Sequence, residues 1–304
     1  MCKGIMWLEE LMKIGEVSLL TNDIAERNIQ LDSKDLILSK VHKLMAAYRD
    51  GLLGGERLKE CNSFNHESVP HSTNSQAGKG AWIIKMPEHE NPGLDRASKE
   101  NYLYFTLPMA LNYQRNSYVL WECANRLYKN VPEIFDCGHV LRMAEADLKD
   151  LLVQYKVALQ PNKQSVIWKT LCATFHDKYG GDVRSFFSAM NYEVSAIKES
   201  ISRNKKAFPY LGGSKICNYW LYVMEQYTDA KFVDREHITV APDTHVIQAS
   251  EKLGVISAEE AKRADVQQIV ADRWNELLRG TEYVPIDIHT PMWLWSRGKF
   301  KTIL

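Results

Sequence analysis

The sequence predicts a mainly α-helical fold, on three observations. From residue 96 onward apolar side chains recur at helical spacing in window after window. Only one short run before that, AWIIKM at 81–86, reads as strand. Pro108 and Pro132 punctuate that pattern, and Gly180 and Gly181 stand where one of its helices stops. At 304 residues and 45% hydrophobic content there is material for one large domain or two modest ones. We expect an N-terminal extension over 1–95 and a helical core over 96–304.

The elements follow in order. Leu36, Ile37, Val41, Leu44, Met45 and Tyr48 lie at helical spacing after Ser33 and predict an amphipathic helix. Residues 49–98 change character: CNSFNHESVPHSTNSQAGKG is rich in Asn, Ser, His and Gly, and PEHENPG is a loop, so this stretch reads as an irregular connection that packs on the core. After Asp95 the pattern is helical, punctuated by Pro108 and Pro132. A further helix carries Val166, Ile167, Thr170, Leu171, Thr174 and Phe175 on one face and stops at Gly180 and Gly181, and Asp182 is placed to cap the next. Ser257 and Glu260 have capping-box spacing, and Val266, Ile269, Val270, Trp274, Leu277 and Leu278 trace the stripe of a later helix.

Composition narrows the function. With 38 basic and 38 acidic side chains, the chain does not hold nucleic acid by bulk electrostatics, so any DNA contact uses a local surface. Glu9 and Glu10 interrupt the first apolar run after Trp7 and Leu8, so neither a signal peptide nor a membrane span is expected. The six cysteines have no C-x-x-C spacing, which argues against a zinc knuckle or an iron–sulfur loop and for free thiols in a reducing, cytoplasmic setting. His245 and His289 form no metal spacing and read as structural.

Two segments carry chemistry. FPYLGGSKICNYWLYVM, 208–224, sets two glycines before a helix with Ile216, Tyr219, Trp220 and Val223 on its apolar face. Backbone amides at such a helix start, with its positive dipole end, suit a phosphate, and Arg203, Lys205 and Lys206 stand just upstream. A plain αα-hairpin accounts for the same glycines. ITVAPDTHVIQASEKLGV, 238–255, sets Pro242 and Asp243 before a helix with Val246, Ile247, Ala249, Ser250 and Leu253, so Asp243 sits at its N-cap.

Together these segments resemble the helix-hairpin-helix superfamily of DNA glycosylases, the group of endonuclease III, adenine glycosylase and the 8-oxoguanine glycosylases. There an L-P-G-x-G-x-K hairpin precedes a V-D-T-H-x-x-R-x-x-x-R-L-G segment; here stand F-P-Y-L-G-G-S-K and P-D-T-H-V-I-Q-A-S-E-K-L-G. FTLPMALNYQRNSYVLWECANRLYKNVPEIFD is similar to the family helix region that probes an opened duplex, and LKDLLVQYKVALQPNKQSVIWKTLCATFHDKYGGDV and IDIHTPMWLWSRG resemble later core segments, so the likeness spans about 100–300. Two departures stand out: Leu211 holds the hairpin's first glycine position, and YTDAKFVDRE makes the 28-residue step from Lys215 to Asp243 longer than in endonuclease III, a length closer to the archaeal 8-oxoguanine branch.

The resemblance implies a two-lobed helical core without an iron–sulfur cluster, and a base-excision N-glycosylase with AP-lyase activity on an oxidised base. Lys215 takes the position of the nucleophile and Asp243 that of the essential carboxylate. Leu211, Gly212, Gly213, Ser214, Arg203 and Lys205 fall on the strand-contacting surface, and Gln114 with Asn112 on the wedge that fills the place of the flipped base. Tyr113, Trp220 and Trp293, with Tyr219 and Trp295, are candidates for a base pocket by stacking, although aromatics at helical spacing more often serve as core. No cofactor and no metal are expected; the expected partner is duplex DNA with a damaged base or abasic site, with no membrane and no obligate protein partner. A glycosidase of modified nucleosides, or a DNA-binding module without turnover, fits the same residues. Asp243 then serves as a helix cap and Lys215 as a phosphate-binding amine.

Overall fold

The computed structural model describes residues 34–53, 86–302 and 304. The protein is mainly helical, with no strand among the described residues. The run at 81–86 lies outside them apart from Met86, as do Ser33 and the first twenty residues.

The first helix, α1 (34–49), buries Ile37, Val41, Leu44 and Ala47. Leu36, grouped with that face by its spacing, is instead 59% exposed, because its neighbour Ile37 takes the inward position. Ser98 caps α2 (Lys99–Thr106) by accepting the Asn101 amide. Every residue of α2 from Asn101 to Thr106 is buried, so this central helix shows no polar face in its sequence. Leu107 and Pro108 end it, and Pro132 follows α3 (Ser117–Asn130) with a 3-10 turn. After α4 (Cys137–Arg142) and α5 (Glu145–Gln154), α6 (Pro161–Tyr179) stops at Gly180, whose φ of 63° is the left-handed C-cap its sequence announced. The buried side of α6 is turned from the expected stripe: Trp168 and Cys172 point inward with Ile167, Leu171 and Phe175, while Val166 is exposed.

Asp182 caps α7 (Val183–Ala189) through the Arg184 amide. The next helix, α8 (Val194–Arg203), has no local cap; its first two amides bond to both carboxylate oxygens of Asp234, 40 residues on. The rest are α9 (Ser214–Tyr227), α10 (Thr244–Leu253), α11 (Val266–Leu278) and α12 (His289–Arg297). Ser257 and Glu260 do exchange capping-box hydrogen bonds, but on the 3-10 turn Glu260–Lys262 that precedes α11.

Two hydrophobic clusters organise these helices. The first, aromatic-rich, draws on α2 to α9 and packs Phe105, Trp121, Phe135, Trp168, Phe187 and Trp220. The second gathers Val41 and Leu44 of α1 with Val246 and Leu253 of α10, Trp274 of α11 and Met292 and Trp295 of α12. Residues on both sides of position 95 thus share one core. The connection lengthened by YTDAKFVDRE is built into the first cluster through Phe232 and pinned by Arg235, which bonds Glu225 at 2.6 Å and Asp287 at 2.6 Å, joining α9 to the turn before α12.

Trp274 is fully buried, and its indole donates to Ser250 Oγ at 2.8 Å. Trp274→Ala leaves a cavity between α10 and α11 and removes that bond; in chemical denaturation it should cost about 3–5 kcal/mol. A loss below 1 kcal/mol would mean that the second cluster does not hold those helices together.

Candidate active site

A cavity of about 410 Å³ opens where the two clusters meet. The loop before α3 contributes Asn112 and Gln114, α9 contributes Lys215 and Tyr219, the start of α10 contributes Asp243 and His245, and α12 contributes His289, Trp293 and Arg297. Met86 and Pro87 close one side, so the stretch before residue 95 forms part of the wall.

Lys215 is there because of how α9 starts. Leu211 is fully buried in the first cluster and anchors the turn. Gly212 runs so close to α8 that a β-carbon on it would lie 3.1 Å from Ile201 Cγ2. The left-handed residue of the turn is Tyr210, at φ 63°, and not a glycine. The amides of Leu211, Gly212 and Gly213 close onto Pro209, Phe208 and Tyr210 carbonyls. The amides that α9 leaves without a side-chain cap therefore begin at Ser214. Leu211, expected on the DNA-contacting surface, presents no side chain there.

Asp243 caps α10: its Oδ1 accepts the Val246 amide at 2.9 Å, while the residue lines the cavity. Its capping role and its exposure to the cavity therefore coexist. What brings it to Lys215 is Asn218, a buried side chain one turn along α9. The Asn218 amide donates to Ser214 O at 2.8 Å and Thr239 Oγ1 at 2.8 Å, and accepts from the Thr239 amide at 3.1 Å and Lys198 Nζ at 3.1 Å. Lys198 also bonds His237 O at 2.9 Å. All four hydrogen-bonding positions of that amide are used, and two of them hold the approach to Asp243 against α9.

Two imidazoles face the cavity. His289 is 5% exposed, and its Nδ1 accepts the Ala241 amide at 3.4 Å, which leaves the proton of the neutral ring on Nε2. Burial pushes it well below the ordinary histidine range; the Asp243 carboxylate opposes that shift and the Lys215 ammonium adds to it. His245 has the opposite arrangement. The Ser296 hydroxyl donates to Gln248 Oε1 at 3.0 Å, so it accepts from His245 Nδ1 at 3.0 Å and leaves Nε2 with a lone pair. Burial lowers His245 as well, against Asp243 and with Arg297. The cavity thus offers one imidazole donor and one acceptor. Both histidines were expected to be structural, although His289, Trp293 and Arg297 fall at i, i+4 and i+8, one stripe of a helix.

The aromatic expectations divide. Trp293 lines the cavity, with the Arg297 guanidinium 4.7 Å from its ring and 5.2 Å from that of Tyr118. Trp220 is not a pocket wall: it is fully buried, packs 5.2 Å from Phe187 and donates to Thr106 Oγ1, because one residue on from Tyr219 the helix turns it into the first core. Tyr113 is 47% exposed outside the cavity, its ring 5.6 Å from Tyr210, whose ring also lies 4.8 Å from Lys163 Nζ. Gln114, left-handed at φ 49°, is exposed beside it. Arg203 and Lys205 are exposed ahead of the hairpin and away from the cavity lining, and Arg203 is paired with Glu199 at 2.5 Å.

Among the described residues no group of three His, Cys, Asp or Glu side chains is placed to hold a metal ion, and the four described cysteines are buried and free. No helix there is long and apolar enough to cross a membrane. No family model matches the chain, and no curated protein matches it.

Glu88, which no sequence pattern singled out, sits behind the wall, 1% exposed. Burial raises its carboxyl from 4.5 to about 7, against the hydrogen bonds that it accepts. The fold therefore binds a proton at Glu88 that the unfolded chain releases between those values, so this group's contribution to stability falls as pH rises from 4.5 to 7. In denaturation series Glu88→Gln should gain stability relative to wild type over that interval, by about 3 kcal/mol at 1.36 kcal/mol per unit. A difference that stays flat with pH would show that Glu88 titrates normally.

Proposed function

We propose that the protein is a DNA N-glycosylase with AP-lyase activity, built on the helix-hairpin-helix glycosylase plan and acting on an oxidised base. The observation that carries this reading is the meeting of Lys215 and Asp243, 28 residues apart in sequence, on one cavity that Gln114, Asn112 and Trp293 also line. Its volume, about 410 Å³, lies in the range of small-ligand pockets.

In this reading a damaged base is flipped into the cavity while Gln114 and Asn112 fill the gap in the stack. The Asp243 carboxylate stabilises the positive charge that grows at C1′ as the glycosidic bond breaks. The base leaves with the bonding electron pair and takes a proton from water, while the Nε2–H of the neutral His289 is a hydrogen-bond donor at hand for it. The Lys215 amine, once deprotonated, forms a bond to C1′; ring opening gives a protonated Schiff base, and loss of a C2′ proton expels the 3′ phosphate. The uncapped start of α9 and the neighbouring Lys205 suit a phosphate of the strand. With zero formal net charge, such a contact has to be a local one.

Duplexes carrying an abasic site or one oxidised base, incubated with the protein and reduced with borohydride, test this directly. Wild type should give a covalent adduct, Lys215→Gln none, and Asp243→Asn base release lowered by about 100-fold or more. An adduct that persists in Lys215→Gln, or none with wild type, overturns the lyase assignment. Turnover of free modified nucleosides with none on duplex replaces it by the small-substrate glycosidase, and salt-sensitive binding without turnover by a binding module.

A further inference from the structure

A carboxyl group as buried as Glu88 is costly where a neutral glutamine could accept the same hydrogen bonds, so its surroundings matter. Glu88 Oε1 accepts the Tyr219 hydroxyl at 2.9 Å and the Trp121 indole at 3.0 Å. Trp121 is fully buried in the first cluster and gives this junction a fixed end. Tyr219 is the cavity end: its ring lines the cavity and packs 5.2 Å from His289, at an interplanar angle of 53°. Its neighbour Tyr222 meets Thr290 Oγ1 at 3.0 Å, one residue beyond His289.

We propose that Glu88 is a positioning residue for the cavity: it ties the Tyr219 hydroxyl to Trp121, and the Tyr219 ring so held orients His289 to present its Nε2–H to the bound ligand. The identity of that ligand as a flipped base rests on the glycosylase reading; the coupling between Glu88 and His289 does not. Burial and the Glu88 charge push the Tyr219 hydroxyl well up, so Tyr219 stays a donor throughout the accessible pH range. The ionisable groups that feel the Glu88 charge are Tyr219, Tyr222 and Tyr227 of α9 and Tyr104 of α2. Beyond these, Tyr48 of α1 acts on Tyr222 and Tyr227, Arg96 on Tyr227, and Glu90 on Tyr104. None of the tyrosines releases a proton near neutrality; His89 packs on Tyr227, Asp287 acts on Tyr222, and His245, Asp243 and Lys215 share the cavity with His289, so a transition there is assigned to Glu88 by its loss in Glu88→Gln. The Tyr219–Glu88 hydrogen bond is charge-assisted above that transition and neutral below it, so the hold on His289 tightens as Glu88 ionises.

The test uses the full chain labelled with 15N-histidine, with ring signals followed from pH 5.5 to 8.5 and His289 identified by their loss in His289→Gln. The expected result is a neutral His289 with its proton on Nε2 throughout, whose signals move with a midpoint near 7 in wild type and keep still in Glu88→Gln. Tyr219→Phe, which retains the ring and loses the link, should also abolish the movement. A His289 signal that does not move between pH 6 and 8 in wild type, or moves identically in either variant, overturns the proposal. A purely structural Glu88 changes thermal stability without that signature. With DNA, Tyr219→Phe should lose base release from damaged duplex several-fold more than cleavage at a preformed abasic site, which needs no base in the cavity. Equal loss of both steps overturns the positioning role. No base release from damaged duplex with wild type defeats the glycosylase reading instead, while the ring signals still decide the coupling.

Discussion

The side-chain amide of Asn218 makes four hydrogen bonds, two to the segment before α10, one to Ser214 at the start of α9 and one to Lys198 of α8. Lys215 lies between Ser214 and Asn218 on α9, and Asp243 lies four residues beyond Thr239. The clamp therefore holds the start of α9, which carries Lys215, against the segment that leads to Asp243. A buried amide with every donor and acceptor matched is a stable solution, and a partly matched one is expensive, so the arrangement has little freedom to drift. Lys198, whose amine burial pushes below its ordinary range, extends the clamp to His237 and thereby to the turn that starts the approach to Asp243.

Around that clamp the long connection between α9 and α10 acts as a buttress. Its Phe232 enters the first core, its Asp234 caps α8, and its Arg235 bridges Glu225 and Asp287 with pairs that are largely shielded from water. The guanidinium faces two carboxylates in an orientation that lets it bond both, an arrangement stronger than a surface ion pair. This connection thus links α8, α9 and the approach to α12, and the chain between Lys215 and Asp243 folds so that both line one cavity.

The cavity itself is a boundary between two packing units. One wall belongs to the aromatic cluster through Tyr219 and the loop before α3, the other to the cluster of α1, α10 and α12 through His245 and Trp293. Placing the site at the seam lets polar groups from both sides remain wet or engage a ligand, whereas inside either core they would need partners. It also explains why the imidazoles keep opposite tautomers: each is set by the hydrogen bond that its own side of the seam provides, a backbone amide for His289 and a serine hydroxyl for His245.

Helical class and the caps at Asp182, Gly180 and Asp243 were legible in the sequence because they are local: a 3.6-residue period and a cap are each written in a few consecutive residues. The expectation that Lys215 and Asp243 act together came from the resemblance, and it is the packed chain that sets both on one cavity. Spacing alone did not determine rotation about a helix to within one residue. Trp220 and Leu211 therefore proved to be core, Val166 proved exposed, and Tyr219 rather than Trp220 faces the cavity. Glu88, Asn218 and His289 depended on the tertiary structure entirely. The partners that define them lie 21 residues away for Asn218, 48 for His289, and 33 and 131 for Glu88, which comes from a stretch with no periodicity that a reader could use. A buried polar group is defined by what surrounds it, and that is a property of the packed chain, not of its order.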